Sequence, residues 1–574
     1  MPNRPAPRLC RPDAAMGGLP YLVPCHSWPG MNRGIPFRWR AALVSVMLWP
    51  SAALAQGDAP SQGSGVSQGV LTQPVAQPLS AIDWLSDDRL PLVPRLSSPQ
   101  APLAGTLPLS EPPVTNTAVT PDVTVTPLDR PGLDAVGLLP ASVSGLPLSL
   151  WQGSKTEDLV ALIDQPSRMG LPAMQALLYT LLLAEADAPG DAGQDSRLLQ
   201  ARIDALMRVG AVEPAQALLE RAGPENPALF ARWFDATLLT GAEDTACAAL
   251  MRAPHLSPSY SAQVFCTARK GDWASAMLTL DTARALDAMP ATEAELLARF
   301  MDPELFEDTA LPRAPVRPSP LVFRLYEALG EPLPTAPLPR AFAVADLRDT
   351  AGWRAQIEAA ERLASSGALA ANRLLGIYSE RKPAASGGVW DRVAAVQRFD
   401  EAIRSGDADV VADSLPRVWS ALQPADLGVA FASLYSTALM RLALPGQASD
   451  LAYGIALLGP DYEAAAQAHG AAHPDMAFVT ALAQGQLEQA EPSDPVQEAI
   501  RQGFMAGGAP ADMAALLAEG RLGEAILRTI QMIQRAAQGD SGGLSAGIAT
   551  LRAVGLEDTA RRAALQLILM DHRG

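Results

Sequence analysis

The stretch Gly241-Ala242-Glu243-Asp244-Thr245-Ala246 returns almost unchanged near the end of the chain as Gly555-Leu556-Glu557-Asp558-Thr559-Ala560. Four more places share its frame, a glycine followed five positions later by an alanine: Gly210 with Ala215, Gly271 with Ala276, Gly485 with Ala490, and Gly520 with Ala525. Successive glycines lie 31 and 30 residues apart at 210, 241 and 271, and 35 and 35 apart at 485, 520 and 555. Such regular spacing predicts a chain built from internal structural repeats.

Apolar residues around these repeats recur every three to four positions. Clear instances that follow Trp151 are Leu159, Leu162 and Ile163, and then Leu177, Leu178, Leu181 and Leu182. This spacing is typical of amphipathic helices. The composition agrees, because 48% of the residues are hydrophobic but only 5% are aromatic, and 51 prolines are available to end helices. We therefore predict an all-α fold.

The repeat frame resembles the tetratricopeptide helix hairpin, in which glycine forms the turn, a small residue lies early in the second helix, and proline ends that helix. Three copies place the matching positions at Gly210, Ala215, Leu219, Ala222 and Pro227, at Gly241, Ala246, Leu250, Ala253 and Pro258, and at Gly271, Ala276, Leu280 and Ala283. The glycine would supply a left-handed backbone conformation, and the alanine would let two helices approach closely. The resemblance covers residues 195–290 and 470–570, and it implies helical hairpins stacked as an α-solenoid.

The small residue that this family has in its first helix is replaced here by Ile203, Phe234 and Val264. The chain as a whole is also similar to a type of exported protein of alphaproteobacteria.

An α-solenoid presents a long concave face, so the resemblance to tetratricopeptide hairpins implies a protein-binding surface on that face.

The stretch that begins at Met31 has the order of a secretory signal. A basic region, a short apolar run and small residues at the cleavage position follow one another, at Arg33, Arg38 and Arg40, at 41–49, and at Ala53-Leu54-Ala55. We predict translation from Met31, cleavage before Gln56 and a periplasmic product, so that residues 1–55 are an over-extended start and the signal peptide. The apolar run is too short for a stable transmembrane anchor.

Composition divides the rest of the chain into four segments. Residues 56–150 are rich in Pro, Ser, Thr, Gln and Gly, and we predict a disordered linker because such a segment buries too little apolar surface to offset its ordering entropy. Helical-repeat modules are predicted at 151–308 and 345–574, with a proline-rich connector at 309–344. The apolar patch at 81–93 is either an adhesive part of the linker or a short motif that binds a partner or docks onto the chain.

The predicted mature chain is strongly acidic. Removing residues 1–55 takes six Arg from the 44 basic residues and one Asp from the 61 acidic residues, so 38 and 60 remain and the formal charge is −22. Such a surface argues against nucleic acid and anionic lipid as partners.

Only two of the four cysteines, Cys247 and Cys266, follow the predicted signal. Cys247 falls on the second helix of one predicted hairpin and Cys266 on the first helix of the next, and such helices are neighbours in a repeat stack. A pair of cysteines in an exported protein is typical of a disulfide. We predict a Cys247–Cys266 bond, with two buried thiols as the alternative.

Two short stretches near the C-terminal end match serine-hydrolase motifs. Gly539-Asp540-Ser541-Gly542-Gly543 and Ala471-Ala472-His473 match chymotrypsin-like proteases, and Gly543-Leu544-Ser545-Ala546-Gly547 matches a nucleophile elbow. The first chemistry needs a double β-barrel and the second a preceding strand, whereas the apolar spacing here is helical. We therefore interpret Ser541 as part of a glycine-rich turn and predict no catalytic residue.

Two further patterns bear on metal binding and on cell-wall chemistry. His469 and His473 have the spacing of a two-histidine metal site on one helix, but Gly470 and Pro474 favour a loop, so we predict neither a metal nor a cofactor. Soluble lytic transglycosylases also carry an exported helical superhelix. Their Glu-Ser catalytic start is absent, and Tyr378-Ser379-Glu380 has those residues in reverse order.

These observations predict a scaffold or adaptor that binds another cell-envelope protein and has no catalysis of its own. The alternative is an accessory to a cell-wall enzyme, or a cell-wall hydrolase. The sequence assigns no binding residue for either function.

Overall fold

The structure is a computed structural model that describes residues 132–165 and 170–570. These residues form 25 α-helices joined by turns and short 3-10 helices, and no β-strand occurs among them. The predicted all-α fold is confirmed. The predicted signal peptide, most of the predicted linker and the patch at 81–93 lie outside the described residues.

The first eleven helices cover the end of the predicted linker, the first predicted module and part of the predicted connector. They are α1 (Ala141–Ser144), α2 (Thr156–Asp164), α3 (Pro172–Leu183), α4 (Arg197–Val209), α5 (Val212–Ala222), α6 (Pro227–Thr240), α7 (Glu243–Arg252), α8 (Tyr260–Arg269), α9 (Trp273–Ala285), α10 (Ala291–Met301) and α11 (Pro320–Ala328). Proline is the first residue of α3, α6 and α11, where its missing N–H costs no intrahelical hydrogen bond.

Fourteen helices follow, from the end of the connector to the C-terminal region. They are α12 (Ala343–Asp346), α13 (Trp353–Ala364), α14 (Ala371–Ser379), α15 (Val389–Ser405), α16 (Ala408–Leu422), α17 (Gly428–Leu439), α18 (Gly446–Leu457), α19 (Tyr462–His469), α20 (Ala477–Gln484), α21 (Pro495–Met505), α22 (Ala511–Ala518), α23 (Leu522–Ala537), α24 (Leu544–Ala553) and α25 (Glu557–Leu569).

All six glycines of the repeat frame have a positive φ, between 72° and 89°. Five of them join two helices of a hairpin, namely α4–α5, α6–α7, α8–α9, α22–α23 and α24–α25. In these five hairpins the alanine five positions later is fully buried, at Ala215, Ala246, Ala276, Ala525 and Ala560. Gly485 differs, because the 3-10 helix Leu487–Gln489 follows it instead of an α-helix. The frame in the sequence therefore corresponds to helix hairpins with closely approaching backbones.

The described part of the chain has helices before the predicted module boundary at residue 151. Residues 132–150, which fall in the predicted linker, contain α1 and the 3-10 helices Leu133–Ala135 and Leu148–Leu150. Leu139 pairs with Ala184 in an isolated parallel bridge, and the N–H groups of Leu138 and Leu139 donate to the carbonyl of Leu183. This segment is named the lead-in, and it packs on the end of α3.

A fully buried arginine on α4 attaches the lead-in to the helices. Arg202 Nε donates to the carbonyl of Leu182 at 2.9 Å, and Nη2 donates to the carbonyl of Ala184 at 2.8 Å. Its Nη1 donates to two lead-in carbonyls, those of Asp134 at 3.2 Å and Val136 at 2.8 Å. Burial lowers the pKa of Arg202 to about 10, and the carboxylate of Asp134 opposes this shift.

The first helices pack against the last ones. At the start of α3, the N–H of Ala173 donates to Gln566 Oε1 of α25 at 2.8 Å. Arg521, beside α23, forms an ion pair of 3.1 Å with Asp158 of α2. A Cβ atom on Gly523 would lie only 2.4 Å from the Trp151 ring. These contacts define the closure interface, and they join segments more than 350 residues apart in sequence.

Neighbouring helices form a closed circuit. It passes through α4, α6, α12, α13, α14, α17, α18, α19, α20, α25 and α3, and then returns to α4. Helix α11 of the connector packs on α6. Its Arg324 forms an ion pair of 2.6 Å with the buried Glu243 of α7. The two predicted modules are therefore in contact at two places, through α6 and α12 and through the closure interface.

Candidate functional site

An apolar cleft lies between α14, α15, α17 and the end of α16. Its enclosed volume is only about 20 Å³, room for about one water molecule. Its buried walls include Leu374, Val396, Leu422, Leu427 and Phe431, and the half-buried residues Leu375, Ala430 and Leu434 lie toward the solvent. Apolar side chains at three- and four-residue spacing on α14 and α17 produce this lining, because each helix turns one apolar face toward the other.

Tyr378 lines the cleft with its ring while its hydroxyl points to a buried ion pair. The hydroxyl donates to Glu361 Oε1 of α13 at 2.8 Å, and Arg392 of α15 donates to both oxygens of the same carboxylate at 2.8 and 2.5 Å. Burial raises the pKa of Tyr378, and the negative charge of Glu361 raises it further. The hydroxyl therefore stays protonated and cannot act as a base.

Tyr435 repeats this arrangement on the opposite wall. Its hydroxyl donates to Asp400 Oδ1 at 3.0 Å, and Arg404 donates to Asp400 Oδ2 at 2.6 Å. Burial raises the pKa of Tyr435, and the Asp400 carboxylate adds to the effect. Both tyrosines thus present carbon atoms to the cleft and have hydroxyl groups held by carboxylates elsewhere.

Aromatic rings make one wall of the cleft rigid. The Phe431 ring centroid lies 5.1 Å from that of Phe399, 4.9 Å from that of Tyr435 and 6.0 Å from that of Trp419. Phe399 and Tyr435 meet edge to face at 5.1 Å. These separations are those of favourable aromatic pairs, so the wall is well packed behind the cleft.

The histidine of the protease-like motif has a different partner. His473 Nδ1 lies 2.7 Å from Asp450 Oδ1 of α18, and its ring stacks on Tyr453 with centroids 4.3 Å apart. The motif's own Asp540 accepts instead from the N–H of Gly542. No motif in the sequence marks Asp450 as this partner, because it lies 23 residues from His473, on α18.

Ser541 begins the 3-10 helix Ser541–Gly543 between α23 and α24. The described stretch around it has the predicted turn between two helices, and helix α23 rather than a strand precedes Gly543. A nucleophile elbow requires a strand at that place, so the backbone here does not have its geometry.

The two histidines do not share a helix. His469 is the last residue of α19, and His473 follows the 3-10 helix Gly470–Ala472. Among residues 132–165 and 170–570 no group of three or more His, Cys, Asp or Glu side chains is placed to hold a metal ion. Within the same ranges no helix combines the length and the apolar character needed to cross a membrane.

The structure joins Cys247 and Cys266 by a disulfide, with Cα atoms 4.9 Å apart. Cys247 lies on α7 and Cys266 on α8, so the bond links the second helix of one hairpin to the first helix of the next. Both residues are buried, and the neighbouring Phe265 packs between Phe234 and Phe300. The bond therefore lies in the interior between the two hairpins.

Replacing both Cys247 and Cys266 with alanine is expected to lower the free energy of unfolding by about 3 kcal/mol, because the natural bond closes a loop of about 20 residues in the unfolded chain. Urea denaturation of the oxidised chain and of the double variant measures this difference. Thiol titration of the unfolded, unreduced chain provides the check, since two free thiols per chain would contradict the bond.

Asp235 on α6 is a half-buried carboxyl beside a charged pair. Arg232 of the same helix donates two hydrogen bonds of 2.7 Å to Asp204 of α4. Removal from water raises the pKa of Asp235 to about 7, with the Arg232 charge opposing and the Asp204 charge reinforcing this shift. The carboxyl can therefore change its charge near neutral pH.

The free energy of unfolding is expected to fall as the pH rises from about 4 to about 7. In this window the folded chain keeps a proton on Asp235 that the unfolded chain has lost, so stability decreases until Asp235 is fully ionised. Asp235→Asn should remove this decrease and be about 2–4 kcal/mol more stable than the natural chain at pH 8. Urea denaturation between pH 4 and 8 tests this prediction, and Asp281→Asn, at an exposed position, is the control. The same dependence of stability on pH in Asp235→Asn and in the natural chain would contradict it.

Comparison with known proteins finds no family model, no curated protein and no solved structure that matches this chain.

Proposed function

We propose that the chain is an exported helical-repeat scaffold or adaptor of the tetratricopeptide-like type, which binds another protein of the cell envelope. The observation that carries this proposal is the repeated hairpin, with a positive-φ glycine at the turn and a fully buried alanine in five copies. Stacks of such hairpins expose extended surfaces that suit protein binding.

Two further features are consistent with this role. The buried disulfide between neighbouring hairpins suits an oxidising compartment such as the periplasm. The apolar cleft between α14 and α17 gives the second predicted module a concave apolar surface. The disulfide fits an exported protein better than a cytosolic one.

Export is tested by the N-terminus of the mature chain. We expect mass spectrometry of periplasmic material to find a chain that begins at Gln56, because Ala53-Leu54-Ala55 offers small residues at the cleavage position. A periplasmic chain that retains Met31 would contradict this expectation. A version without residues 31–55 is the control, and it should stay in the cytosol.

Partner binding is tested by cross-linking in cells that express the full chain with a C-terminal tag. We expect one envelope protein to be cross-linked in stoichiometric amount to the exported chain, and not to the control that lacks residues 31–55. The purified chain should neither clear peptidoglycan nor hydrolyse a peptide ester. Turnover of either substrate without a cross-linked partner would instead support the cell-wall enzyme alternative.

A further inference from the structure

The last turn of α10 adjoins an exposed apolar surface. Trp273, the first residue of α9, is 49% exposed, and its ring centroid lies 6.3 Å from that of Phe300 on α10. Leu305, in the 3-10 helix Glu304–Phe306 that follows α10, is 72% exposed. Tryptophan is among the residue types that most often dominate binding at protein interfaces. Trp273 and Leu305 therefore mark a candidate interaction surface.

Both parts of this surface are held in place from behind. The Phe300 ring, on which Trp273 lies, also contacts the ring of the buried Phe265, with centroids 5.8 Å apart. Arg299 holds the loop after α10, because it donates hydrogen bonds of 2.9 Å to two carbonyl groups of that loop. A surface that is fixed before binding loses little conformational freedom when a partner docks.

The loop after α10 carries an excess of negative charge. Glu304, Glu307 and Asp308 are exposed, and none of them forms an ion pair with the described part of the chain. No lysine or arginine occurs between Arg299 and Arg313 to offset these carboxylates. Such a surface attracts a positively charged partner and repels an acidic one.

The exposed tryptophan narrows the chemistry of that partner further. The face of an indole ring attracts the cationic groups of lysine and arginine, and the neighbouring carboxylates can pair with the same groups. The carbon stems of lysine and arginine can lie along an apolar side chain such as Leu305. The charges that precede the tryptophan, on Lys270 and Asp272, offset each other. The combination therefore suits a basic segment of a protein.

We propose that Trp273, Leu305 and the carboxylates of Glu304, Glu307 and Asp308 form a docking surface for a lysine- or arginine-rich segment of a partner protein. This proposal rests on the adaptor role, since it names the chemistry by which the partner is recognised. An extended segment of about eight residues spans roughly 26 Å, several times the 5.4 Å pitch of one helical turn. One segment is therefore long enough to contact both sides of the last turn of α10.

The first test is fluorescence anisotropy of a labelled peptide of lysine and leucine, titrated with the purified full chain. We expect saturable binding that weakens as the salt concentration rises, because the ion pairs are exposed. The same peptide with glutamate in place of lysine should bind at least about ten-fold more weakly. Absence of saturable binding at low salt would overturn the proposal. If such a chain still cross-links to an envelope protein, the adaptor role stands without this surface.

Two matched pairs of substitutions separate this surface from the overall negative charge of the chain. Glu307→Gln combined with Asp308→Asn should weaken peptide binding about ten-fold. Glu401→Gln combined with Asp409→Asn removes the same charge at exposed positions of α15 and α16, and should change binding less than about two-fold. Equal weakening by the two pairs would overturn the proposal, because it would show that only the total charge attracts the peptide.

The apolar part of the surface is tested in the same assay. Trp273→Ala should weaken peptide binding about ten-fold, whereas Leu148→Ala, which shortens an exposed apolar side chain of the lead-in, should leave it unchanged. Circular dichroism melts show whether both variants fold. Unchanged binding by a folded Trp273→Ala variant would overturn the proposal. If that variant does not fold, the charge substitutions at Glu307 and Asp308 decide, since both side chains are exposed.

Discussion

Replacing Arg202 with methionine is expected to lower the free energy of unfolding by about 3–5 kcal/mol, because it leaves buried polar groups without their partner. Methionine keeps the apolar stem but removes the donors to four carbonyl groups. Three of these hydrogen bonds, to the carbonyls of Leu182, Ala184 and Asp134, are buried. It also leaves the buried Asp134 without its compensating charge. Urea denaturation followed by circular dichroism measures the loss.

Two controls identify the cause of that loss. Arg417→Met changes an exposed side chain of the same type and should alter stability by less than about 0.5 kcal/mol. Arg202→Lys keeps the charge but lacks the planar fork, so it should recover only a small part of the loss. Limited proteolysis should cut the lead-in of Arg202→Met first. Full stability of that variant would show that the four carbonyl groups do not need the guanidinium.

Replacing Gly523 with alanine is expected to destabilise the chain by about 2–3 kcal/mol, although alanine is the better helix former. The new Cβ would lie 2.4 Å from Trp151 Cε3 and 2.7 Å from the carbonyl oxygen of Leu150. Trp151 is fully buried, so neither group can move away without opening the closure interface. Gly523→Val should cost more for the same reason.

Gly376→Ala is the matched control for this variant. Gly376 is exposed within α14, and a Cβ atom there meets no other atom within 4 Å. Its replacement should stabilise the chain by up to about 1 kcal/mol. Hydrogen exchange should quicken in α2, α3, α23 and α25 of Gly523→Ala only. Stabilisation of both variants would mean that Trp151 does not lie against α23.

The turns of the fold could be predicted from single residues, because a glycine at a left-handed turn and an alanine at a close helix contact are local requirements. Gly210 and Gly241 therefore gave the hairpins α4–α5 and α6–α7 in advance. The spacing of Cys247 and Cys266 in the same frame was enough to place them on neighbouring helices.

The closure interface and the cleft could not be predicted, because both depend on which distant segments meet. Gln566 and Ala173 are 393 positions apart, and nothing in either stretch marks the other as its partner. The apolar residues of α14 and α17 indicate buried faces, but periodicity does not distinguish a filled core from an open cleft. The raised pKa of Asp235 was missed because its main cause is burial in the folded chain, which the sequence does not reveal.

The closure interface also determines the order in which the chain can finish folding. Synthesis produces α2 and α3 first, and their partners on α23 and α25 follow after more than 350 further residues. At typical rates of about 5–20 residues per second, the apolar surfaces of α2 and α3 stay uncovered for tens of seconds. Hairpins between them form early from local contacts, whereas the last step joins the two most distant parts of the sequence. The apolar surfaces of the earliest helices are therefore the ones that wait longest for their partners.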